Sequence, residues 1–233
     1  MTLPANRNQL LASLSDAERS RLQPDLAQVS LQLGEVLYDT GAKLQYAYFP
    51  STAIISLKYA TESGSSLEIA GVGFEGIVGI ALYMGSETTT SSAVVQTAGI
   101  AYRLPRIELK REFDLAGNLQ KCLLKYTYEL MMQIGLTAVC NRHHSIEQQL
   151  CRWLLNTLDR LSSQDLIMTQ ELISNMLGVR REAITEAAGR LQAAGFISYR
   201  RGHISVIDRK GLESRACECY AALKKNVRRQ APD

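Results

Sequence analysis

The stretch from Met168 to Leu191 reads MTQELISNMLGVRREAITEAAGRL. Thr169 is a residue type that caps the start of a helix, and a first helix is predicted from there to about Leu177. Gly178 then supplies a turn, because a glycine adopts a positive φ at little cost. A second helix is predicted to begin near Arg180. Two helices joined by so tight a turn are typical of a helix-turn-helix.

The second of these helices has two different faces. Apolar or small residues recur at the spacing of a helix face that packs on a core, at Ile184, Ala187, Ala188 and Leu191. The opposite face carries charged and polar residues in its first two turns, and that end of a recognition helix enters the DNA major groove. Arginine can pair with guanine there, and glutamate can accept from cytosine. The alternative is a solvated charged face on an ordinary helical hairpin.

A basic hairpin is predicted after the second helix. The segments 196–199 and 203–207 alternate as short strands do, and they flank Arg200-Arg201-Gly202. A turn, a recognition helix and a basic wing in this order favour DNA binding over the plain hairpin. The residues predicted to contact DNA are Thr169, Gln170, Arg180, Arg181, Glu182, Thr185, Glu186, Arg200, Arg201 and His203.

Charge is distributed unevenly along the 233 residues. Lys and Arg number 26 against 23 Asp and Glu, for a net charge of +3. Residues 1–140 hold 11 basic and 13 acidic side chains, whereas residues 141–233 hold 15 and 10. The basic surplus at the C-terminal end indicates an anionic partner, nucleic acid first. No run of 18 apolar residues occurs, so we expect no membrane protein.

Residues 26–104 follow a different period. Val29, Leu31 and Leu33 alternate with polar residues, as do those at 53, 55, 57 and 59. Short alternating segments separated by turn residues are typical of a β sandwich or barrel, and we predict a jelly roll. Before them, residues 6–22 are predicted to be helical, with Ser15 and Glu18 as a capping box.

Residues 106–140 return to a helical period. Apolar and uncharged residues alternate at spacings of four and three, as in a coiled-coil seam, at Leu119, Leu123, Tyr126, Leu130, Gln133 and Thr137. Leu124, Met131 and Ile134 widen the apolar face. A helix that is apolar on two sides can cover its own domain and also meet a partner. We interpret it as a dimerisation helix; the alternative is a single buried helix.

These features together resemble the Crp/Fnr family of transcription regulators. The resemblance covers about residues 25–215 and rests on the segments 33–41 (LGEVLYDTG), 48–50 (YFP), 76–79 (GIVG) and 178–182 (GVRRE). It implies an α+β chain with a cyclic-nucleotide-binding-like β jelly roll at residues 1–105, a long dimerisation helix and hinge at 106–141, and a winged helix-turn-helix at 142–233. It also implies that Arg181 and Glu182 read a G·C pair.

The effector site departs from the pattern of the cyclic-AMP-binding members. Their Gly-Glu-Leu is here Gly79-Ile80-Ala81, and their Arg-Ser aligns with Ser91-Ser92. No basic residue lies between Lys58 and Arg103, and a buried phosphate without a cation is costly. The candidate effector pocket is Gly76, Gly79, Ile80, Ser91 and Ser92. We expect a neutral or weakly anionic effector, if any, and not cyclic AMP in the usual mode.

The predicted function is therefore a homodimeric, sequence-specific DNA-binding transcription regulator in the cytoplasm. Its expected partners are double-stranded DNA, a second copy of the chain, RNA polymerase and an unknown small molecule, with no cofactor and no membrane. One alternative is a dimeric ligand-binding module without DNA binding. Another is a jelly-roll metalloenzyme, which the absence of His and Cys from residues 25–105 argues against.

The five cysteines are odd in number and scattered, which is typical of reduced thiols. Cys122, Cys140 and Cys151 are expected to pack in the core. Cys217 and Cys219 would diverge by about 200° on one helix, so we expect no metal site there. The pair His143-His144 lies at the predicted hinge and is expected to be a polar corner.

Overall fold

The computed structural model describes residues 7–62, 64–161 and 165–229, with side chains to residue 225. The described chain divides into two compact units: residues 1–59 with 71–130, and residues 60–70 with 131–233. Residues 1–6, 63, 162–164 and 230–233 of the predicted domains lie outside the described part. None of the described helices is long and apolar enough to cross a membrane.

Two short helices, α1 (Gln9–Ala12) and α2 (Asp16–Leu22), begin the first unit. The predicted capping box is confirmed: Ser15 caps α2 and exchanges hydrogen bonds with Glu18. The region predicted to be helical, residues 6–22, consists of two helices, because this cap starts a second helix after the first has ended; residue 6 itself lies outside the described part.

Seven strands form two antiparallel sheets after the helices. They are β1 (Ala27–Leu31), β2 (Val36–Tyr38), β3 (Tyr46–Pro50), β4 (Ile54–Ala60), β5 (Ser66–Val72), β6 (Ser92–Thr97) and β7 (Gly99–Pro105). One sheet has the order β1-β7-β3 and the other the order β2-β6-β4-β5. The predicted β region is thus confirmed. Its alternation holds at Leu31, which is buried, whereas Leu33 lies past the end of β1 and is exposed.

Residues 106–143 form two helices rather than one. Helix α3 (Arg106–Asp114) is separated from α4 (Asn118–His143) by a turn in which Ala116 has a φ of 55°. The start of α4 is fixed from outside the helix, because Glu18 Oε1 accepts the Leu119 N–H at 2.8 Å. The long helix therefore begins at Asn118 rather than just after Pro105, and it ends at His143.

The predicted seam of α4 is turned toward its own chain. Its residues Leu119, Leu123, Tyr126, Leu130 and Thr137 are buried, and Gln133 is half-buried. The apolar side chains that α4 exposes are instead Leu124, Tyr128, Met131 and Val139, each at least half exposed. The residues predicted for the dimer seam thus cover the core of their own chain. The exposed apolar side of α4 is formed by residues one or two positions further along the sequence.

The second unit contains the C-terminal elements. They are α5 (Ile146–Leu158), β8 (Asp165–Ile167), α6 (Gln170–Leu177), α7 (Arg181–Ala193), β9 (Ile197–Arg200), β10 (His203–Val206), α8 (Arg209–Arg215) and α9 (Glu218–Arg229). The three strands pair antiparallel in the order β8-β10-β9. Their apolar sides pack with the helices around one core that includes Leu150, Trp153, Leu154, Ile173, Ile184, Leu191 and Ile204.

Candidate nucleic-acid interface

The turn between α6 and α7 has the predicted geometry. The Thr169 hydroxyl oxygen caps α6 by accepting the Leu172 N–H at 3.2 Å. Gly178 ends the helix with a φ of 65°, where a side chain would be strained. A Cβ there would also lie 3.0 Å from the Leu67 side chain. The glycine is therefore favoured by its backbone angle, and a larger residue would also require the Leu67 side chain to shift by a few tenths of an ångström.

Helix α7 begins at Arg181, with Arg180 at its cap position. Its core face is buried as predicted, at Ile184, Ala187, Ala188 and Leu191. On the other side the structure exposes Arg180, Arg181, Glu182, Thr185 and Glu186. The first two turns of α7 therefore offer donors and acceptors of the kind that contact base edges.

Two predicted contact residues on different helices are joined by a hydrogen bond. The Thr185 hydroxyl lies 2.8 Å from Gln170 Oε1, to which it donates, and 3.1 Å from the Arg181 carbonyl oxygen. Gln170 is half-buried, and Thr169 beside it is exposed. The start of α6 and the first turns of α7 thus share one surface.

The basic hairpin forms with a shorter turn than predicted. Arg200 lies in β9 and pairs with His203 in β10, so the turn consists of Arg201 and Gly202 alone. Both have positive φ, 48° and 81°, as a two-residue turn of this hand requires. The Gly202 carbonyl accepts the Met168 N–H at 2.7 Å. This bond ties the wing to the segment that precedes α6.

Strand β8 supports the wing on its other side and was not predicted. Its three residues pair with β10, Leu166 opposite Ile204. Burial alternates along Asp165, Leu166 and Ile167, but the sequence does not show it, because Leu166 and Ile167 are both apolar. Three residues are also too few to distinguish a strand from a loop.

The exposed arginines of this surface have no acidic partner. Within the described residues, Arg180, Arg181, Arg200 and Arg201 form no ion pair, whereas Arg190 pairs with Glu147 at 2.7 Å. Burial raises the pKa of Tyr199 in β9 to about 12, against the nearby charge of Arg181, which acts to lower it. Recognition helix and wing therefore join in one basic surface whose guanidinium groups can bind phosphate or bases.

The predicted effector residues belong to the first unit. Gly79 has a φ of 106° and begins a 3-10 turn at Ile80–Leu82. Gly76 lies against the Tyr126 ring, because a Cβ there would be 2.3 Å from it. Ser91 bonds Thr89 at 3.0 Å, and Ser92 begins β6. No hydrogen bond between described residues joins Gly79 or Ile80 to Ser91 or Ser92.

Two cations approach this region from outside the interval between Lys58 and Arg103. Lys43 and Arg106 lie 2.7 and 2.6 Å from the Glu87 carboxylate. Hydrogen bonds from Lys43 and Arg106 hold the Glu87 pKa below its usual value. Both cations are thus already paired with an acidic group, which disfavours a phosphate there.

A second group of polar side chains converges near the end of α4. Cys140, His144, Cys217 and Cys219 bring ligand-type atoms within 4.8 Å of one another. The expectation that the last two thiols diverge is wrong, because Cys217 precedes α9 and only Cys219 lies inside it. The hydrogen bond with Cys140 is the largest cause that lowers the pKa of Cys217, to about 5.

Comparison with known protein families finds a match within the second unit. Residues 148–215 match the Crp-like helix-turn-helix domain. No curated protein matches the chain significantly.

Three solved structures illustrate a similarity that extends over most of the chain. FixK2 from Bradyrhizobium japonicum has a TM-score of 0.71 at 15% identity, over 82% of this chain and 98% of its own. A Crp/Fnr-family transcriptional regulator from Thermus thermophilus has 0.65 at 21%, over 82% and 98%. The c-di-GMP responsive global regulator CLP of Xanthomonas campestris has 0.65 at 14%, over 82% and 99%.

The resemblance found in the sequence is thus confirmed for the fold and for the helix-turn-helix domain. The Thermus and Xanthomonas structures are both those of regulators. The chain carries a Crp-like helix-turn-helix domain within the fold of the Crp/Fnr-family transcription regulators.

Proposed function

We propose that this chain is a homodimeric transcription regulator that binds a pseudo-palindromic DNA operator through α7 and the β9–β10 wing. The observation that carries the proposal is the set of exposed arginines without acidic partners, within the described residues, at the start of α7 and at the wing tip. Such a guanidinium is stabilised when it meets a phosphate or the edge of a guanine. A recognition helix and a wing on one surface suit the major groove and the adjacent backbone.

The proposed roles differ between the helix and the wing. Arg181 and Glu182 read a base pair, and Arg180, Thr185 and Glu186 contact neighbouring bases. Arg200, Arg201 and His203 bind phosphates, together with Thr169 and Gln170 at the start of α6. Phosphate contacts position the protein, and base contacts give it sequence preference.

The proposed dimer forms through the exposed apolar side of α4. Leu124, Tyr128, Met131 and Val139 recur along that helix and are 53%, 55%, 64% and 50% exposed. A second copy of α4 would cover this side in an isologous contact. The two recognition helices would then enter successive major grooves about 34 Å apart.

We infer that control comes from the first unit and that the chain acts in the cytoplasm beside RNA polymerase. Cyclic AMP is not the expected effector, because Ile80 and Ser91 stand where the resemblance places a glutamate and an arginine. A neutral or weakly anionic molecule is the expected class.

Selection of bound fragments from genomic DNA tests the proposal. The purified protein is expected to enrich a sequence with two related half-sites spaced by about one helical turn. The Arg181→Ala variant serves as the matched comparison and should enrich a weaker consensus. A chain that enriches no sequence at moderate salt would favour a ligand-binding module without DNA recognition.

A further inference from the structure

The C-terminal end of α4 and the start of α9 bring together three thiols and an imidazole. Cys140 lies in the last turn of α4, and the His144 N–H bonds the Cys140 carbonyl at 3.0 Å. This i, i+4 spacing places both side chains on one side of the helix end. Cys217 and Cys219 reach them from the start of α9, in the same unit.

The four ligand atoms surround a space of the size of one ion. Cys140 Sγ and Cys217 Sγ are 3.5 Å apart, and Cys219 Sγ is 3.7 Å from His144 Nδ1. All four atoms lie within 4.8 Å of one another, so some point lies within about 3 Å of each, close to Zn–S and Zn–N bond lengths of about 2.3 and 2.0 Å. Small side-chain rotations would complete a tetrahedron.

The imidazole is oriented as a metal ligand is. His144 Nδ1 faces the thiols, and His144 Nε2 lies 3.2 Å from the Glu218 carboxylate. Metal-bound histidines commonly donate their second ring N–H to such a carboxylate, which fixes the tautomer and the ring plane. A purely apolar packing of thiols would not require this arrangement.

A buried cation beside the thiols supplies a second, independent observation. The Arg152 side chain is 5% exposed, and its Nε donates to Cys140 Sγ at 3.1 Å. Among the described residues no carboxylate lies within ion-pair range of Arg152. A buried guanidinium without an anion is costly. Three thiolates around a divalent ion carry one net negative charge, which Arg152 would balance.

We propose that Cys140, His144, Cys217 and Cys219 bind one zinc ion in a closed, structural site. Three thiolates and one imidazole are a ligand set that zinc prefers, and four protein ligands leave no position for a substrate. The ion would fasten the end of α4 to α9 beside the α4–α5 connection, and so order the segment that leads into the helix-turn-helix.

Metal content and cobalt substitution test this site in the full chain. The protein, purified without a histidine tag under reducing conditions, is expected to contain one zinc per chain. After the zinc is removed with a chelator, Co²⁺ should give the visible absorption of a tetrahedral ion and thiolate charge-transfer bands. Stoichiometry well below one, or a spectrum of six-coordinate cobalt, would overturn the proposal.

Variants identify the ligands without relying on loss of folding. His144→Cys keeps four ligands, so it should still bind Co²⁺ with stronger thiolate bands. Glu218→Gln should weaken zinc binding about 10- to 100-fold in a chelator competition, as removal of such a carboxylate does. Cys151→Ala, which removes a buried thiol outside the cluster, should leave stoichiometry and spectrum unchanged.

The 3.5 Å separation of Cys140 and Cys217 also defines the competing outcome. If the reduced protein binds neither zinc nor Co²⁺, and oxidation yields a Cys140–Cys217 disulfide by non-reducing peptide mapping, the cluster is redox-active and the zinc proposal is wrong. None of these measurements involves DNA, so their outcome is separate from that of the proposed function.

Discussion

Thr185 on α7 donates a hydrogen bond to Gln170 on α6, across 2.8 Å. Both side chains belong to the predicted DNA surface, and the bond joins the two helices on the side away from their shared core. Substitutions nearby should therefore be judged on folding as well as on DNA binding.

Arg181→Ala should cost about 1–3 kcal/mol on the selected operator and relax preference at one position of each half-site. The reason is loss of a bidentate contact with guanine. Fluorescence anisotropy with the operator and with single-base variants measures both effects. The control is Lys110→Ala, which removes the charge of a lysine that pairs with Asp114 in α3, far from α7 in the sequence. Equal weakening on every duplex would instead assign Arg181 to a phosphate.

Arg201→Gly should reduce the salt dependence of binding by about one unit of log–log slope for each Arg201 removed, without changing the consensus. Glycine is the suitable replacement because Arg201 has a φ of 48°, which alanine would adopt at a cost. Titrations at several salt concentrations give the slope, again beside Lys110→Ala. An altered consensus would contradict the phosphate role.

Met131→Glu should convert the dimer to monomers. Met131 is 64% exposed, so the substitution is tolerated in one chain but sets two carboxylates against each other at the proposed interface. Sedimentation velocity measures whether the protein is a dimer or a monomer. The affinity for the operator should fall when the dimer is lost. Ile107→Glu, at an apolar position of α3 that is 66% exposed and outside this interface, is the control. A wild-type chain that sediments as a monomer would rule out this interface.

Glu18→Gln should lower stability by about 1 kcal/mol at pH 7, and this loss should shrink as pH falls through the folded pKa of Glu18. Burial acts to raise the Glu18 pKa, but hydrogen bonds from Ser15 and from the Leu119 N–H outweigh it and hold the pKa below 4.5. A lowered folded pKa stabilises the protein above the unfolded pKa, and this stabilisation is lost as pH falls through the folded value. Denaturant midpoints at both pH values measure the difference; an equal loss at pH 7 and about pH 3.5 would show that the charge is immaterial.

Local rules predicted most of the surface proposed to bind DNA. A cap at Thr169, a left-handed glycine at 178 and an apolar stripe from Ile184 to Leu191 are properties of neighbours in sequence, and the structure has all three. The same rules missed the break before α4. There Ala116 has a positive φ, which cannot be predicted from an alanine in the sequence. The start of α4 is also fixed by Glu18, which is distant in the sequence.

Which apolar side of α4 faces the core could not be predicted either. Leu123 and Leu124 are both apolar, and only tertiary packing buries the first and exposes the second. The cysteine cluster was missed for a related reason. Cys140 and Cys217 are distant in the sequence and come together only when the chain folds. The spacing of Cys217 and Cys219 predicts divergent side chains only if both lie in one helix, and Cys217 precedes α9.

Gly76 and Tyr126 leave no vacant room between them, since the aromatic ring fills the place of a side chain. A molecule that entered beside Gly76 would have to push that ring aside. Tyr126 belongs to α4, two residues before the exposed Tyr128. Because the ring is attached to α4, its displacement would rotate that helix. Binding of a molecule beside Gly76 would therefore move the exposed side of α4 directly, without a movement of loops in between.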